Sequence, residues 1–418
     1  MSPSRRDFLR ASVTGSLAWA LQPAIPGLAL PPSPMRGTGN TALVVVQLAG
    51  GNDGLNTLIP CADDAYARSR PTIRFGPDEV LKINSEQGFH PHMSGFKELY
   101  EDGYLSVVQG VGHADSSRNH DAAMRDWHTG TPGRPHCQTG WMGRAADQLW
   151  ANTAGGVPAA FVGRIKPPKA INAERAIVPA VRRFEDWSLA PDAPPEQRRA
   201  LGRMITRTAE VERSPSGSLA NQVQQSMTHA CGTGRTVHEL LDGRPPATDL
   251  RYPPFALAQG LETVSRALRA DLGVRVFMVV LGGSGFGGFD NHANQRGNHG
   301  SLLRELSESV KAFVYDLKQA RLLDRVLLMT FSEFGRTLAE NGRRGTGHGA
   351  AAPVFMAGGG LKGGLIGPRP GLTDLDKGAL RFHTDYRSLY ATVLDRWLGV
   401  DSEVVLGENF QPVDIFRA

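Results

Sequence analysis

The sequence has little of several features that define whole classes of protein. Its 418 residues contain three cysteines, which is too few for a disulfide-based fold of this size. The formal net charge of +5 is small beside 46 basic and 41 acidic residues, and no block of Lys and Arg concentrates it, so we expect no nucleic-acid partner. No apolar run approaches the roughly 20 residues of a membrane-spanning helix, so we also expect no stable membrane insertion.

Several catalytic signatures are missing as well. The absence of a G-x-S-x-G motif argues against an esterase of the α/β-hydrolase type. The Cys/Ser-x-Pro-x-Arg signature of formylglycine sulfatases does not occur either, which excludes the commonest sulfatase mechanism. The run 283–288 matches G-x-G-x-x-G, but the residues after it are poor helix formers, so we do not interpret it as a dinucleotide site.

The first residues predict an export signal. Ser4 to Arg10 (SRRDFLR) resembles the twin-arginine signal, and an uncharged, modestly apolar stretch follows it. Small residues around Ala29 suit a signal peptidase. We therefore predict a signal at 1–29, a partnership with the twin-arginine translocase during export, and a periplasmic or secreted protein whose remaining residues, 30–418, form a single α/β domain.

Short apolar runs rich in β-branched residues predict buried parallel strands. These runs are 42–48, 105–109, 274–281, 326–331 and 353–357. Between the third and fourth, residues 301–321 place apolar side chains on one helical stripe, and this helix leads directly into the next strand. The stretch 151–271 has Pro-rich linkers and helical patterns, which predicts a mostly helical insertion. The fold class is then α/β, with a doubly wound, mostly parallel sheet.

Polar residues follow each of the first four predicted strands. In open parallel sheets, ligands bind in the crevice outside the carboxyl ends of the strands. The four loops should therefore converge on one polar site, although they come from distant parts of the chain. The candidates, in chain order, are Asp53, Thr57, Arg118, His120, Asp290, His292, Glu333, Arg336 and His348.

Three of these residues indicate a metal ion. Asp290 and His292 are two apart, so in an extended segment their side chains point the same way. A carboxylate and an imidazole suit Zn²⁺, Mn²⁺ or Fe better than Ca²⁺, although a turn capped by Asp290 is an alternative. His348 lies between two glycines, where the backbone can bend sharply, and is a further candidate ligand.

The roles of three other candidates stay open at this point. Asp53, in a glycine-flanked turn, is either a metal ligand or a turn cap. Glu333 is a ligand, a general base or a structural partner of Arg336. Thr57 would need a metal or a base to ionise its hydroxyl before it attacked a substrate.

Long phrases of the sequence resemble the domain-of-unknown-function 1501 family. They are 44–57, 119–130, 289–295, 322–364 and the closing motif 383–391. That family is considered a distant relative of the alkaline phosphatase and sulfatase superfamily, whose members hydrolyse phosphate or sulfate esters with bound metal. The resemblance implies an alkaline phosphatase-like α/β fold with metal ligands on strand-end loops.

The resemblance carries over unevenly to individual residues. Asp290 and His292 match the family's Asp-x-His, and His348 matches its later histidine. Gly347, however, stands where many relatives have Asp, and Asn56-Thr57 stands where some have Asp-Thr. Losing one carboxylate implies one metal ion where relatives bind two, or none.

These observations lead to a hypothesis and an alternative. The hypothesis is an exported metal-dependent hydrolase of phosphate or sulfate esters, acting on a small-molecule or glycan substrate. A divalent metal, Zn²⁺ or Mn²⁺, would be held by Asp290, His292 and His348, with Asp53 as a further ligand. Thr57 or a water would attack, Glu333 would assist, and Arg118, Arg336 and His120 would contact the substrate. The alternative is a non-catalytic exported binding or assembly protein on the same fold.

Overall fold

The computed structural model describes residues 40–152, 157–187, 250–282 and 288–417, together with 193–194, 196–197, 200–201 and 203–204. The export signal predicted at 1–29 lies outside these ranges, as do most of 188–249 and the glycine-rich run 283–287. Residues Arg36–Arg417 group as one compact unit.

Strands and helices alternate along the described part of the chain. The strands are β1 Ala42–Leu48, β2 Leu58–Ile59, β3 Leu81–Lys82, β4 Gly88–Phe89, β5 Leu105–Gly112, β6 Ala159–Val162, β7 Ala180–Val181, β8 Val276–Leu281, β9 Val326–Phe331, β10 Arg336–Glu340, β11 Thr346–His348, β12 Ala352–Gly358, β13 Gly364–Ile366, β14 Leu375–Asp376, β15 Ala379–Leu380 and β16 Thr384–Asp385. The α-helices are α1 Asp64–Ser69, α2 Ser94–Glu101, α3 His120–Thr129, α4 Trp141–Asn152, α5 Ala256–Arg269, α6 Gln295–Gln319, α7 Tyr386–Thr392 and α8 Ser402–Leu406.

Nine of the described strands form one central sheet. Their order is β13-β5-β12-β9-β1-β8-β6-β7, and β16 pairs with β5. Central strand β1 pairs in parallel with β8 and β9, whereas β12 is antiparallel to both β5 and β9. All other pairings in this sheet are parallel. The carboxyl ends of β1, β5, β8 and β9 therefore lie at the same edge, which confirms the predicted mostly parallel sheet.

Helices cover both faces of this sheet. On one face, Val44 and Val46 of β1 belong to a core with residues of α2, α5 and α6. On the other face, Leu43 and Val45 belong to a second core with residues of α4 and α7. Successive residues of a strand point to opposite faces, so β1 is apolar throughout because both of its faces are covered. This is the doubly wound arrangement that the sequence predicts.

The strand at 352–358 differs from the prediction in direction. It was expected to be parallel, but β12 runs antiparallel to both neighbours. A parallel crossover needs a dozen or more residues, usually including a helix, and the connection from β9 to β12 contains only the short strands β10 and β11. Apolar composition could not reveal this direction, because a buried strand is apolar whichever way it runs.

The predicted helical insertion at 151–271 also differs at its edges. Strands β6 and β7 extend the central sheet beyond β8, and α5 packs on one face of that sheet. Residues 157–187 and 250–271 thus belong to the sheet and its helical layer. The helical pattern at 196–212 lies mostly outside the described residues. Within those residues, no helix combines the length and the apolar character needed to cross a bilayer.

The buried helix α6 provides a test of this core. Leu303 is 0% exposed between the sheet and the neighbouring helices. We expect Leu303→Ala to lower the free energy of unfolding by about 2–5 kcal/mol, because it removes apolar contacts and leaves a cavity. Urea denaturation measures the loss. Val404→Ala on α8, where the side chain is 66% exposed, is the control and should change stability by no more than about 0.5 kcal/mol.

Candidate metal centre

Three imidazoles and one carboxylate meet at the carboxyl edge of the sheet. His120 is the first residue of α3, Asp290 and His292 follow β8, and His348 ends β11. Asp290 Oδ1 lies 2.9 Å from His292 Nε2, 3.3 Å from His348 Nε2 and 3.4 Å from His120 Nε2. The Nε2 atoms of His292 and His348 are 2.9 Å apart. One carboxylate oxygen is thus surrounded by the same nitrogen of three rings.

The other ring nitrogen of each histidine has an oxygen partner. His292 Nδ1 lies 2.8 Å from the carbonyl of Thr346, and His348 Nδ1 lies 2.6 Å from the carbonyl of Arg118. A carbonyl can only accept, so these two Nδ1 atoms carry the protons. His120 Nδ1 lies 2.8 Å from Glu333 Oε1. When the three rings are neutral with their protons on Nδ1, their Nε2 lone pairs are directed at Asp290.

His120, Asp290 and His348 offer ligand atoms that all lie within 4.8 Å of one another, and His292 adds a nitrogen 2.9 Å from Asp290 Oδ1, a set that suits a divalent transition metal. His120 Nε2 is buried and has no hydrogen-bond partner. When both rings are neutral with their protons on Nδ1, His292 and His348 cannot hydrogen-bond to each other through Nε2. A tetrahedral zinc site with Zn–N bonds of about 2.0–2.1 Å would space its ligand atoms about 3.3 Å apart, close to two of the separations observed here. Three imidazoles and a carboxylate suit Zn²⁺ better than the oxygen-preferring Mn²⁺.

The side chain of Arg336 fixes the position of Asp290. It is fully buried and donates to Asp290 Oδ1 at 2.7 Å, to the Phe289 carbonyl at 3.1 Å and to the Gly51 carbonyl at 2.7 Å. Burial raises the pKa of Asp290, but the hydrogen bond and charge of Arg336 outweigh it, so the pKa is lowered from 3.8. The carboxylate is therefore ionised and fixed before any cation arrives.

The histidines differ in their pKa because their surroundings differ. The hydrogen bond to Glu333 raises the pKa of His120 above 6.5. Burial lowers the pKa of His292, which is also close to Arg336. These shifts make His120 easier to protonate than His292.

Two glycines after β1 allow the backbone to approach Asp290 closely. Gly50 and Gly51 follow β1 with φ of +115° and +77°. The amide of Gly50 donates to both oxygens of Glu333, at 2.9 and 3.1 Å. A Cβ atom at Gly50 would lie 2.6 Å from the amide nitrogen of Asp290, so only glycine allows this approach.

Asp53 does not belong to the centre. It is buried, and its Oδ2 lies 2.7 Å from Arg70 Nη1 and accepts from the amide of Gln295. Its Oδ1 accepts from the Leu55 amide and caps the short 3-10 helix Gly54–Asn56. Burial raises the pKa of Asp53, but the Arg70 guanidinium outweighs it and the pKa is lowered. The ligand role is thus corrected, and the turn-capping alternative matches the structure.

Thr57 is likewise separate from the centre. Its side chain is fully buried, and its hydroxyl lies 2.7 Å from the Asp53 carbonyl and 3.0 Å from Asn52 Oδ1. The buried ring of His299 shares Asn52 Oδ1 at 2.9 Å. A hydroxyl held within this network is not placed to attack a ligand at Asp290, so the nucleophile prediction for Thr57 is also corrected.

Each of the predicted substrate-binding residues has protein partners in the structure. Arg336 is buried beneath Asp290, and the Arg118 guanidinium donates to the carbonyls of Asp376 and Lys377 at 2.6 and 2.9 Å. Arg118 contributes to the centre through its own carbonyl, which anchors His348. His120 points its Nε2 at Asp290, and this makes it a candidate metal ligand. Glu333 contacts the far side of that ring.

Sequence reasoning missed Arg70 and misplaced His120. Arg70 pairs with Asp53 across 17 residues, and no spacing rule reveals a buried pair of this kind. A signal for His120 did exist, because Asn119 is a good N-cap and its Oδ1 accepts from the Ala122 amide. An N-cap at 119 puts His120 in the first helical turn, at the edge where the strands end.

The close approach of Gly50 to Asp290 gives a prediction about metal affinity. Gly50→Ala should displace the segment at Asp290, because the new Cβ would clash with its backbone. We expect zinc affinity to fall by about 10–100-fold, as for other losses of support around a metal ligand. Competition against a chromogenic chelator measures it. Gly273→Ala is the matched control, since Gly273 also has a positive φ but nothing within 4 Å of the added atom.

The assignment of Asp53 gives a second prediction. Asp53→Asn should leave zinc affinity unchanged but lower the free energy of unfolding by about 3–5 kcal/mol, because Arg70 is left buried without its counter-charge. Asp290→Asn should lose zinc. Since Asp53 has a lowered pKa, the stability from its pair is present above pH 3.8 and is lost as the pH falls below it. Loss of zinc from Asp53→Asn would restore the original ligand assignment.

The chain is similar to several solved structures and to one protein family. No curated protein matches the chain. Solved structures that it resembles include the C-terminal periplasmic domain of EcEptC from Escherichia coli in complex with Zn, at 11% identity over 79% of this chain and 77% of that one, with a TM-score of 0.38. A protein in the alkaline phosphatase superfamily from Vibrio parahaemolyticus is similar at 10% identity over 90% of this chain and 72% of that one, with a TM-score of 0.38. The lipoteichoic acid synthase LtaP from Listeria monocytogenes is similar at 11% identity over 87% of this chain and 72% of that one, with a TM-score of 0.40. Residues 106–411 match the family described as Protein of unknown function (DUF1501), and the chain belongs to that family.

Proposed function

We propose that the chain is an exported metal-dependent hydrolase of phosphate or sulfate esters. The observation that carries this proposal is the convergence of three Nε2 atoms on Asp290 Oδ1, with each opposite Nδ1 anchored by an oxygen. Metal-binding histidines are oriented in this way by their outer partners. The twin-arginine-like residues at the start of the chain support export to the periplasm or beyond, with the translocase as a partner.

The charges of the centre suit an anionic ester. When bound, a divalent ion supplies Lewis acidity, which polarises an ester oxygen and lowers the pKa of water. A divalent ion and Arg336 together outweigh the two carboxylate charges of Asp290 and Glu333, so a loaded centre would carry net positive charge. Such a charge attracts a phosphate or sulfate group on a small-molecule or glycan substrate.

The residues of the chain divide the remaining work. His120, His292 and His348 would hold the ion with Asp290, and the anchors on their Nδ1 atoms prevent the rings from turning. Because the hydroxyl of Thr57 is buried in its own network, the nucleophile we propose is a water molecule. The mixture of three nitrogens and one oxygen makes Zn²⁺ the expected ion.

Metal content tests the proposal. The chain is expressed with its own export signal, and bound metals are measured by mass spectrometry in wild type, His292→Ala and His136→Ala. We expect about one equivalent of zinc in wild type, and its loss in His292→Ala because one of four ligands is removed. His136 is exposed and lies outside the centre, so His136→Ala should keep the metal. A wild-type protein without stoichiometric transition metal would rule the proposal out.

An ester panel then separates a hydrolase from a binding protein. The zinc-loaded chain is assayed on phosphate monoesters, phosphate diesters and sulfate esters, with His292→Ala as the negative control. Hydrolysis of one class that His292→Ala abolishes would support the enzyme. Gly347, in place of the Asp found in many relatives, is the observation that favours a non-catalytic exported binding or assembly protein. A zinc-loaded chain that is inactive on the whole panel would support that alternative.

A further inference from the structure

Glu333 is a buried carboxylate with an unusual set of partners. It lies two residues after β9 and is 2% exposed. Its oxygens accept from the Gly50 amide at 2.9 and 3.1 Å and from the Ser332 hydroxyl at 3.2 Å, and Oε1 lies 2.8 Å from His120 Nδ1. Among the described residues, His120 is its one ion-pair partner.

The partner set indicates which chemistry Glu333 serves. A buried carboxylate is costly unless hydrogen bonds and a cation compensate it. The nearby guanidinium of Arg336 donates to Asp290 and to backbone carbonyls, not to Glu333. Beyond the Gly50 amide and the Ser332 hydroxyl, the compensation for Glu333 therefore comes from the ring of His120.

The three histidines of the centre are not equivalent. His292 and His348 are anchored by neutral carbonyls, whereas His120 is anchored by a carboxylate. A carboxylate holds the proton on Nδ1 more firmly and makes Nε2 a stronger electron-pair donor. His120 Nε2 is also the buried nitrogen that lacks a hydrogen-bond partner.

We propose that Glu333 is a positioning residue that acts through His120. It fixes the tautomer and angle of that ring, so that Nε2 faces the metal centre, and it does not itself touch the metal or the substrate. The role rests on the proposed metal centre. It replaces the earlier options for Glu333 of a ligand or a general base, because its oxygens are buried and engaged on the side of the ring away from Asp290.

A double-mutant cycle on zinc affinity tests this role. The dissociation constant for zinc is measured by chelator competition in wild type, Glu333→Gln, His120→Ala and the double variant. Glu333→Gln should weaken binding by about 10–100-fold, because it keeps the shape but loses the charge that holds the His120 proton. In the His120→Ala background, the same change should have little further effect, since its target is gone. Asp147→Asn is the matched control, because Asp147 is a buried carboxylate on α4 that accepts from three backbone amides.

Cobalt replacement gives a spectroscopic signature that a purely structural role would not change. The visible absorption of the Co²⁺-loaded protein reports the ligand field, and Glu333→Gln should alter it whereas Asp147→Asn should not. If Glu333→Gln does not fold, as judged by circular dichroism, Glu333→Asp takes its place in the cycle. The shorter Asp side chain keeps the charge but places it farther from His120 Nδ1. Glu333→Asp should therefore weaken zinc binding when His120 is present and have little effect when it is absent.

The outcomes distinguish this role from the proposed function. Unchanged zinc affinity in Glu333→Gln, or equal losses with and without His120, would overturn the positioning role while leaving a zinc-binding hydrolase intact. A wild-type chain that binds no zinc would overturn both. Coupling confined to the Glu333–His120 pair would establish it.

Discussion

The guanidinium of Arg336 connects the loops on which the candidate site depends. It lies at the start of β10 and donates to carbonyls of Gly50, Gly51 and Phe289 and to Asp290 Oδ1. These acceptors follow β1 and β8, which are neighbours in the sheet. A fully buried arginine needs such a set of acceptors, so the loops and the cation stabilise one another. Removing the guanidinium would leave Asp290 without its counter-charge next to the three histidines, and removing the loops would leave the guanidinium without acceptors.

The topology explains why distant residues meet at this edge. Strands β1, β5, β8 and β9 are parallel, so their following loops come together, and the antiparallel β12 begins at the same edge. The pair β10–β11 fills the connection from β9 to β12 and places Arg336 opposite His348. One short hairpin therefore supplies both the support for Asp290 and one of its imidazole neighbours. The helical layers contribute His120 at the first turn of α3.

Much of this could be predicted from the sequence, and the failures have physical causes. The apolar runs predict strands because burial on both faces demands them, and polar residues after those runs predict one site. Asp290, His292 and His348 were identified by local spacing and by glycine neighbours. The tasks of Asp53, Arg336 and His120 depend on partners far away in the chain, which local patterns do not show. The direction of β12 was missed for the same reason, because an apolar strand does not encode its orientation.

The position of Gly347 changes meaning once the geometry is known. The resemblance implied that losing one carboxylate would leave one metal ion where relatives bind two, or none. In the structure, His120 provides a third imidazole beside Asp290, so four donor atoms are present without an acidic residue at 347. Replacing an anionic donor by a neutral one leaves more positive charge on a bound divalent ion. Glu333 contributes negative charge through its contact with His120 Nδ1. That contact strengthens His120 Nε2 as a donor, and Glu333 does not occupy a coordination position itself. Glycine at position 347 is thus compatible with the mononuclear centre that we propose.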